Sequence, residues 1–533
     1  MMTELRTYRG HIRNWEALAF ELKIENASSM TREERERTIL LKAWERWGTS
    51  MGNHLHGMFA LAIMDETRHM LYALRDQFGT KPFYYYVTAD GKLLYGTFIR
   101  DIMKRPGFVK ELNEEMLQYY LTMTYTPGEN TFFRGVKKLM PGHFLTWTGA
   151  DGMQDTAEQS LPMTTVSRPE LTVTRYWRPE FHPDDAGSLD DYADEIHRTM
   201  IQMMSEIKTP DEHAESFLSG GVDSSYVFAL SDAEMADTCG YDNPKFDESP
   251  LAKETADALG RKLSRLNVTP EDYFRTVPFV MEHMEQPLAD ASAIVFTLGC
   301  QAASKHTKLC YSGEGSDEMF GGYNMYRNAS RYGKNLRTFY IGNTNIMKED
   351  MKKRLLKHYN PDILPIHLAE PLFDENQSFS PLCQMQDIDI RLWLEGDIYL
   401  NVDKMSTACG LEIRMPITDT RMFDIASRLP DEYKVSETQN KVAFRTAAAK
   451  VLPHETAFRK KLGFIVPIRY WLADTRYNSD VLRLFHSSTA EKFFHTDELE
   501  ALYQEYTGGN SDLWRQIWTI YTFLVWYEIY FEA

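Results

Sequence analysis

Over the first part of the chain, apolar residues gather in short runs. MFALAIMD at 58–65, HMLYALRD at 69–76, PFYYYVT at 82–88 and KLLYGTF at 92–98 are apolar or alternating, with turn residues between them. Runs of this length and pattern predict β-strands. ADGK at 89–92, between the last two, is a hairpin signal. Helical spacing is confined to Asn14–Leu22 and Arg32–Trp47. Together these features predict an α+β domain with antiparallel sheets.

After residue 187 the pattern changes to alternation. AESFLS at 214–219 reads as a strand that runs into a glycine turn and then into a helix starting near Val222. MADTCGY at 235–241 is strand-like, SPLAKETADALGRKL at 249–263 is helical, and TKLCYS at 307–312 is a strand followed by another glycine-rich turn. Repeated strand–turn–helix units predict a parallel, doubly wound sheet. From about Asp387 onward the pattern is mostly helical. Between the two regions, Gly149 to Gly187 is rich in Gly, Pro, Ser and Asp, which marks a domain boundary near 180. The expected division is 1–180 and 181–533.

Composition narrows the classes. A chain of 533 residues exceeds what one core holds, so two domains are expected. Apolar residues at 43% and charged residues at 26% are ordinary for a soluble protein. The net charge of -18 disfavours a nucleic-acid partner, since backbone binding is driven by Lys and Arg. The five cysteines, Cys239, Cys300, Cys310, Cys383 and Cys409, form no CxxC pair and read as buried thiols in a reducing compartment. The first residues lack an apolar signal segment, and IWTIYTFLVWYEIYFEA at 517–533 is short and interrupted by Glu528. That segment reads as a buried helix, with no membrane span and a cytoplasmic protein expected.

The chemistry concentrates in three clusters. LSGGVDSS, Leu218–Ser225, joins a strand to a helix. Gly220 and Gly221 allow close backbone approach, Ser219, Ser224 and Ser225 carry hydroxyls, and the N–H groups at the helix start favour an anion. It lacks the lysine of GxxxxGK[ST] and is no Walker loop. SGEGSDEMFGGY, Ser312–Tyr323, follows the strand TKLCYS and therefore sits at the same sheet edge. Glu314, Asp317 and Glu318 are hard oxygen donors of the kind Mg²⁺ needs beside a phosphate loop. RKKLGFIVP, Arg459–Pro467, supplies cations that can stabilise a transferred phosphoryl group.

These clusters, with FDES at 246–249, EQPLADASA at 285–293, NVDKMSTACGLEIRMPITD at 401–419 and RKKLGFIVPIRYWL at 459–472, resemble the asparagine synthetase family in content and order. GMFALAIMD at 57–65, LRDQFGTKPFYY at 74–85 and PGENTFFRGVKKLMPGHFL at 127–145 extend the resemblance into the first domain. It implies an Ntn-hydrolase-like glutamine amidotransferase domain ahead of a PP-loop ATP pyrophosphatase domain with a helical C-terminal part. It also implies that ATP–Mg²⁺ activates aspartate as β-aspartyl-AMP and that ammonia then gives asparagine and AMP. On matching positions, pyrophosphate falls to Leu218, Ser219, Gly220, Gly221, Asp223, Ser224, Ser312 and Gly313, and the metal to Asp223 and Asp317. Glu314 looks like the residue that receives or deprotonates ammonia, and Lys461 like the cation on the pentavalent phosphorus. Lys404, Arg414 and Glu318 are open between substrate and structural roles. A homodimer is compatible with the sequence.

The resemblance fails at the glutaminase. Glutamine-using members begin, after Met removal, with a cysteine, whereas this sequence begins Met1-Met2-Thr3 and has no cysteine before Cys239. RGHIRNWEAL at 9–18 resembles a segment that normally reads NGEIYNYREL, so Arg9 replaces an amide-bearing Asn and His11 replaces Glu. Phe98 stands where the family usually has Glu. The expected first domain is a shortened relic, with free ammonia or a separate glutaminase as nitrogen source. Competing readings are a β-lactam-synthetase-like cyclase, an amide ligase for a secondary-metabolite acid, and a catalytically silent binding protein. The intact GEGSDE favours ammonia or another small amine. Asp223→Ala and Lys461→Ala are each expected to abolish pyrophosphate release from ATP with the fold intact. A coupled pyrophosphate assay beside circular dichroism checks this, and wild-type rates in either variant would overturn the assignment.

Overall fold

The computed structural model describes residues 3–148, 170–184, 186–208, 213–460, 463 and 465–532. Of the boundary segment 149–187 read from the sequence, residues 149–169 and 185 lie outside them. Internal contacts divide the chain into two units, one of Met1–Asn113 and Gly128–Pro179, the other of Glu114–Pro127 and Glu180–Ala533.

In the first unit, β1 (Thr3–Ile12), β2 (Gly57–Asp65), β3 (Met70–Arg75), β7 (His143–Thr148) and β8 (Glu170–Arg175) form an antiparallel sheet in the order β1-β2-β3-β7-β8. A second antiparallel sheet holds β5 (Leu93–Gly96), β4 (Tyr84–Val87) and β6 (Lys137–Lys138). The lack of polar positions in MFALAIMD now has a cause. Phe59, Leu61, Ile63, Tyr72 and Leu74 pack on Ile39, Leu40, Ala43 and Trp44 of the helix Arg32–Trp47. The alternate residues Ala60, Ala62, Met64, Leu71 and Ala73 pack with Phe83, Tyr85 and Leu93 of the second sheet. Both faces of the larger sheet are covered, so neither parity of β2 can be polar. Each large apolar side chain buried this way contributes roughly 1.5–3 kcal/mol. The helix is started by a capping box in which Thr31 and Glu34 satisfy each other's backbone N–H groups. ADGK does form the β4–β5 hairpin, with Gly91 at φ 79°. β1 went unread, because TELRTYRGHI is half exposed and only weakly patterned.

The second unit is built on a five-stranded sheet in the order β11-β10-β9-β12-β13. Its members are β9 (Ala214–Phe217), β10 (Met235–Gly240), β11 (Lys262–Asn267), β12 (Leu309–Tyr311) and β13 (Glu412–Arg414), and every pair is parallel. Strand order reverses between β9 and β12, and loops leaving the carboxyl ends there open a crevice. The helical reading of 249–263 ran too far: the helix is Ser249–Ala258, Gly260 takes φ 65°, and Lys262 already begins β11. β13 interrupts the stretch read as helical, and three residues are too few to show a period.

The apolar C-terminal segment forms the helix Trp514–Tyr527, buried from Ile517 to Trp526. Among the described residues, no helix is long and apolar enough to cross a membrane. The helix Glu115–Met123, though it comes early in the chain, packs against this one in the second unit, where the hydroxyls of Tyr120 and Thr522 lie 2.7 Å apart. Lys404, on the helix Leu400–Ala408, pairs with Glu285, and both side chains are fully buried. Removing one partner of such a pair strands a charge at a cost of about 3–5 kcal/mol, whereas an apolar pair of similar volume is often neutral. Lys404→Ala is therefore expected to lower the unfolding midpoint of the second unit sharply in a denaturant titration, and Lys404→Met with Glu285→Leu to recover most of the loss.

Candidate functional site

The turn after β9 is shaped by its own hydroxyls. Ser219 N donates to Ser224 Oγ at 3.1 Å, the Oγ atoms of Ser219 and Ser224 are 3.0 Å apart, and Gly221 N donates to Ser219 Oγ at 3.2 Å. Gly220 has φ 81°, and a Cβ there would come within 2.8 Å of Ala252 N. The helix Val222–Leu230 then begins with Asp223 in its first turn. Ser225, read as a hydroxyl donor, is instead fully buried and does not line the cavity described below.

The turn after β12 lies directly against this one. A Cβ on Gly313 would sit 2.8 Å from Asp223 C and 2.9 Å from Ser224 N, so only glycine allows the approach. Ser312 N donates to Arg414 O at 3.0 Å, and Ser312 Oγ donates to Glu314 Oε1 at 3.1 Å. A cavity of about 330 Å³ opens between the two turns, lined by Leu218, Ser219, Gly220, Gly221, Asp223, Ser224, Ser312, Gly313, Glu314, Asp317 and Glu318. Tyr241, Phe246, Val295 and Phe296 supply an apolar wall.

Asp223 and Asp317 are joined by a residue that the sequence reading missed. Lys441 Nζ lies 2.6 and 2.7 Å from the two oxygens of Asp223, 2.6 Å from Asp317 Oδ1 and 2.9 Å from Ser316 Oγ. Lys441 is 1% exposed and has φ 55° ahead of the helix Val442–Ala448. An isolated lysine in SETQNKVAFR carries no spacing signal, and only the fold brings it here. Glu318 differs from its neighbours. It is almost wholly buried, and burial, with the Asp317 charge added, pushes its carboxyl up to about 8, with Tyr323 donating a hydrogen bond to it.

Of the basic cluster, Arg459 donates to Gly220 O at 2.8 Å and to Glu254 Oε2 at 2.7 Å, which braces the first turn. Lys460 lines the cavity. Lys461 lies outside the described residues. Lys404 and Arg414 do not line the cavity: Lys404 is held by Glu285, and Arg414 by Glu412 at 2.8 Å and by Ile207 O.

In the first unit, Arg9, His11 and Phe98, where the sequence resemblance leads one to expect other residues, contact one another or local partners. The Arg9 guanidinium lies 4.5 Å from the Phe98 ring centroid, a cation–π contact. His11 Nδ1 is 3.0 Å from Glu36 Oε1, and Tyr8 donates to Glu36 Oε2 at 2.7 Å.

Comparison with known proteins finds two family matches along the chain. Residues 206–528 match the family described as asparagine synthase, and residues 3–157 match the glutamine amidotransferase domain. The chain is 32% identical to asparagine synthetase [glutamine-hydrolyzing] 1 of Bacillus subtilis, over 98% of this chain and 85% of that one. It is 29% identical to a putative asparagine synthetase [glutamine-hydrolyzing] of Mycobacterium bovis, over 98% and 84%. An amidase, chyE of Penicillium rubens, is 27% identical over 54% of this chain and 43% of its own. With one family match spanning more than half its length and a relative alignable almost end to end, the chain belongs to the asparagine synthase family.

Proposed function

We propose that this chain activates the side-chain carboxylate of L-aspartate with ATP and transfers the acyl group to ammonia, giving L-asparagine, AMP and pyrophosphate. The observation that carries this reading is the contact of the two turns through Gly313, which brings the hydroxyl and N–H donors of Ser219–Ser224, with Asp223 among them, to the same cavity as Asp317. Donors at a helix start suit the pyrophosphate, and the apolar wall suits a nucleobase. Two carboxylates facing one cavity are an oxygen donor set that fits Mg²⁺, which would neutralise charge on the leaving pyrophosphate. Lys441 holds the two carboxylates together. Glu314, on the same cavity, is placed to take up a proton from the incoming ammonia, with Lys461 as the stabilising cation on phosphorus.

The nitrogen source in this reading is ammonia, although the B. subtilis and M. bovis relatives carry glutamine-hydrolyzing names. Arg9, by the resemblance, stands where an amide side chain would bind glutamine, and its guanidinium is committed to the Phe98 ring. Neither Arg9 nor Phe98 offers the amide and carboxylate groups that glutamine recognition calls for.

Pyrophosphate release from ATP–Mg²⁺ and aspartate is expected with ammonium chloride and to stay near background with glutamine. Equal rates with both donors would overturn the ammonia assignment, and turnover only on other carboxylic acids would overturn the choice of aspartate. Glu318 gives a pH signature. Its carboxyl titrates near 8 in the fold against 4.5 ordinarily, so the fold prefers the protonated form. The stability this confers is complete below about 4.5 and is lost as pH rises through about 8. Denaturation midpoints across that window should fall less steeply in Glu318→Gln than in the wild type.

A further inference from the structure

A second set of ligating side chains lies in the sheet of the second unit and takes no part in the proposed reaction. Glu215 on β9 and Asp237 on β10 point to one face, because Asp237 pairs with Phe217 and Glu215 lies two residues before it. Glu215 is fully buried and Asp237 is 5% exposed. His306, in the turn that leads into β12, brings Nδ1 to 2.8 Å from Glu215 Oε1 and Nε2 to 3.9 Å from Asp237 Oδ1. His213 Nε2 lies 3.2 Å from the same Glu215 oxygen. One ligand atom each from Glu215, Asp237 and His306 falls within 4.8 Å of the others.

We propose that Glu215, Asp237 and His306 bind a first-row divalent cation of the zinc class, with His213 beside them. Two carboxylates buried side by side repel each other unless a cation or a proton lies between them. Among the described residues, Glu215 Oε2 and Asp237 Oδ2 are buried atoms with no hydrogen-bond partner of standard geometry, although the Asp237 carboxyl also interacts with Glu215 and Ser264. Buried polar oxygens are rarely left so, and a cation satisfies both at once. Imidazole with carboxylates is a zinc-type donor set, whereas magnesium prefers all-oxygen sites. Ligand atoms on one tetrahedral zinc are about 3.4 Å apart, and one atom from each of the three residues falls within 4.8 Å of the others. The half-exposed His306 gives an ion a way in from solvent. The ion would tie β9 to β10 directly before Leu218, whose N–H donates to Asp237 O at 2.9 Å. The site is thus a clamp at the base of the Ser219 turn, distinct from Asp223 and Asp317.

The test is equilibrium dialysis of the full chain against zinc chloride with excess magnesium chloride present, read by elemental analysis. Cobalt(II) substitution, read by visible absorption, gives a second signal. One zinc per chain is expected in the wild type. His306→Ala and Glu215→Gln should each bind it at least about tenfold more weakly and lose the cobalt bands. Circular dichroism checks the fold, and His306→Ala, at a half-exposed position, carries the comparison if Glu215→Gln does not fold. No zinc retained by the wild type, or equal retention by a folded His306→Ala, would overturn the proposal.

Discussion

Asp223 and Asp317 arise from turns far apart in sequence, carry like charges and face the same cavity. Held close without compensation they would push the β9 and β12 turns apart. The ammonium of Lys441 sits against both, and the rest of the site depends on that contact. It lets Gly313 lie against the backbone of Asp223 and Ser224. It leaves the hydroxyls of Ser219 and Ser224 free to shape the turn by bonding to each other. The left-handed backbone at Lys441 is an uncommon conformation for a side-chain-bearing residue, consistent with a position fixed by function.

What the sequence made legible was local. LSGGVDSS and SGEGSDEMFGGY each join a strand to a helix within a dozen residues, so their turn chemistry and their place at the sheet edge could be read together. The parallel sheet follows from the same alternation, whereas its strand order does not. What stayed hidden was set by distant partners. Lys441 has no motif of its own, and β13 is three residues that become a strand only beside β12. Lys404 and Arg414 looked equally suited to substrate and to scaffold until Glu285 and Glu412 came into contact with them. Glu318 belongs to the same acidic run as Asp317, yet burial separates the two in charge state, which spacing alone cannot express.

The fold of the first unit and its polar surroundings rest on different residues. The core around β2 and β3 and the helix Arg32–Trp47 depends on apolar side chains, none of which is a site residue. Arg9, His11 and Phe98 are not among those core residues and have local partners of their own. Polar groups beside an apolar core cost little when each finds a partner.

The pairing of the helix Glu115–Met123 with Trp514–Tyr527 has a consequence for biosynthesis. The ribosome delivers the earlier helix with the first unit, but its partner emerges only after the whole parallel sheet has been made. Until then Tyr120 lacks Thr522, and apolar surface that the finished protein hides is open to solvent and to other nascent chains. The same delay applies to β12, whose edge stays unpaired until residues 412–414 follow. The second unit therefore cannot complete its assembly vectorially, and its yield in a cell should depend on chaperones that shield the waiting segment during elongation.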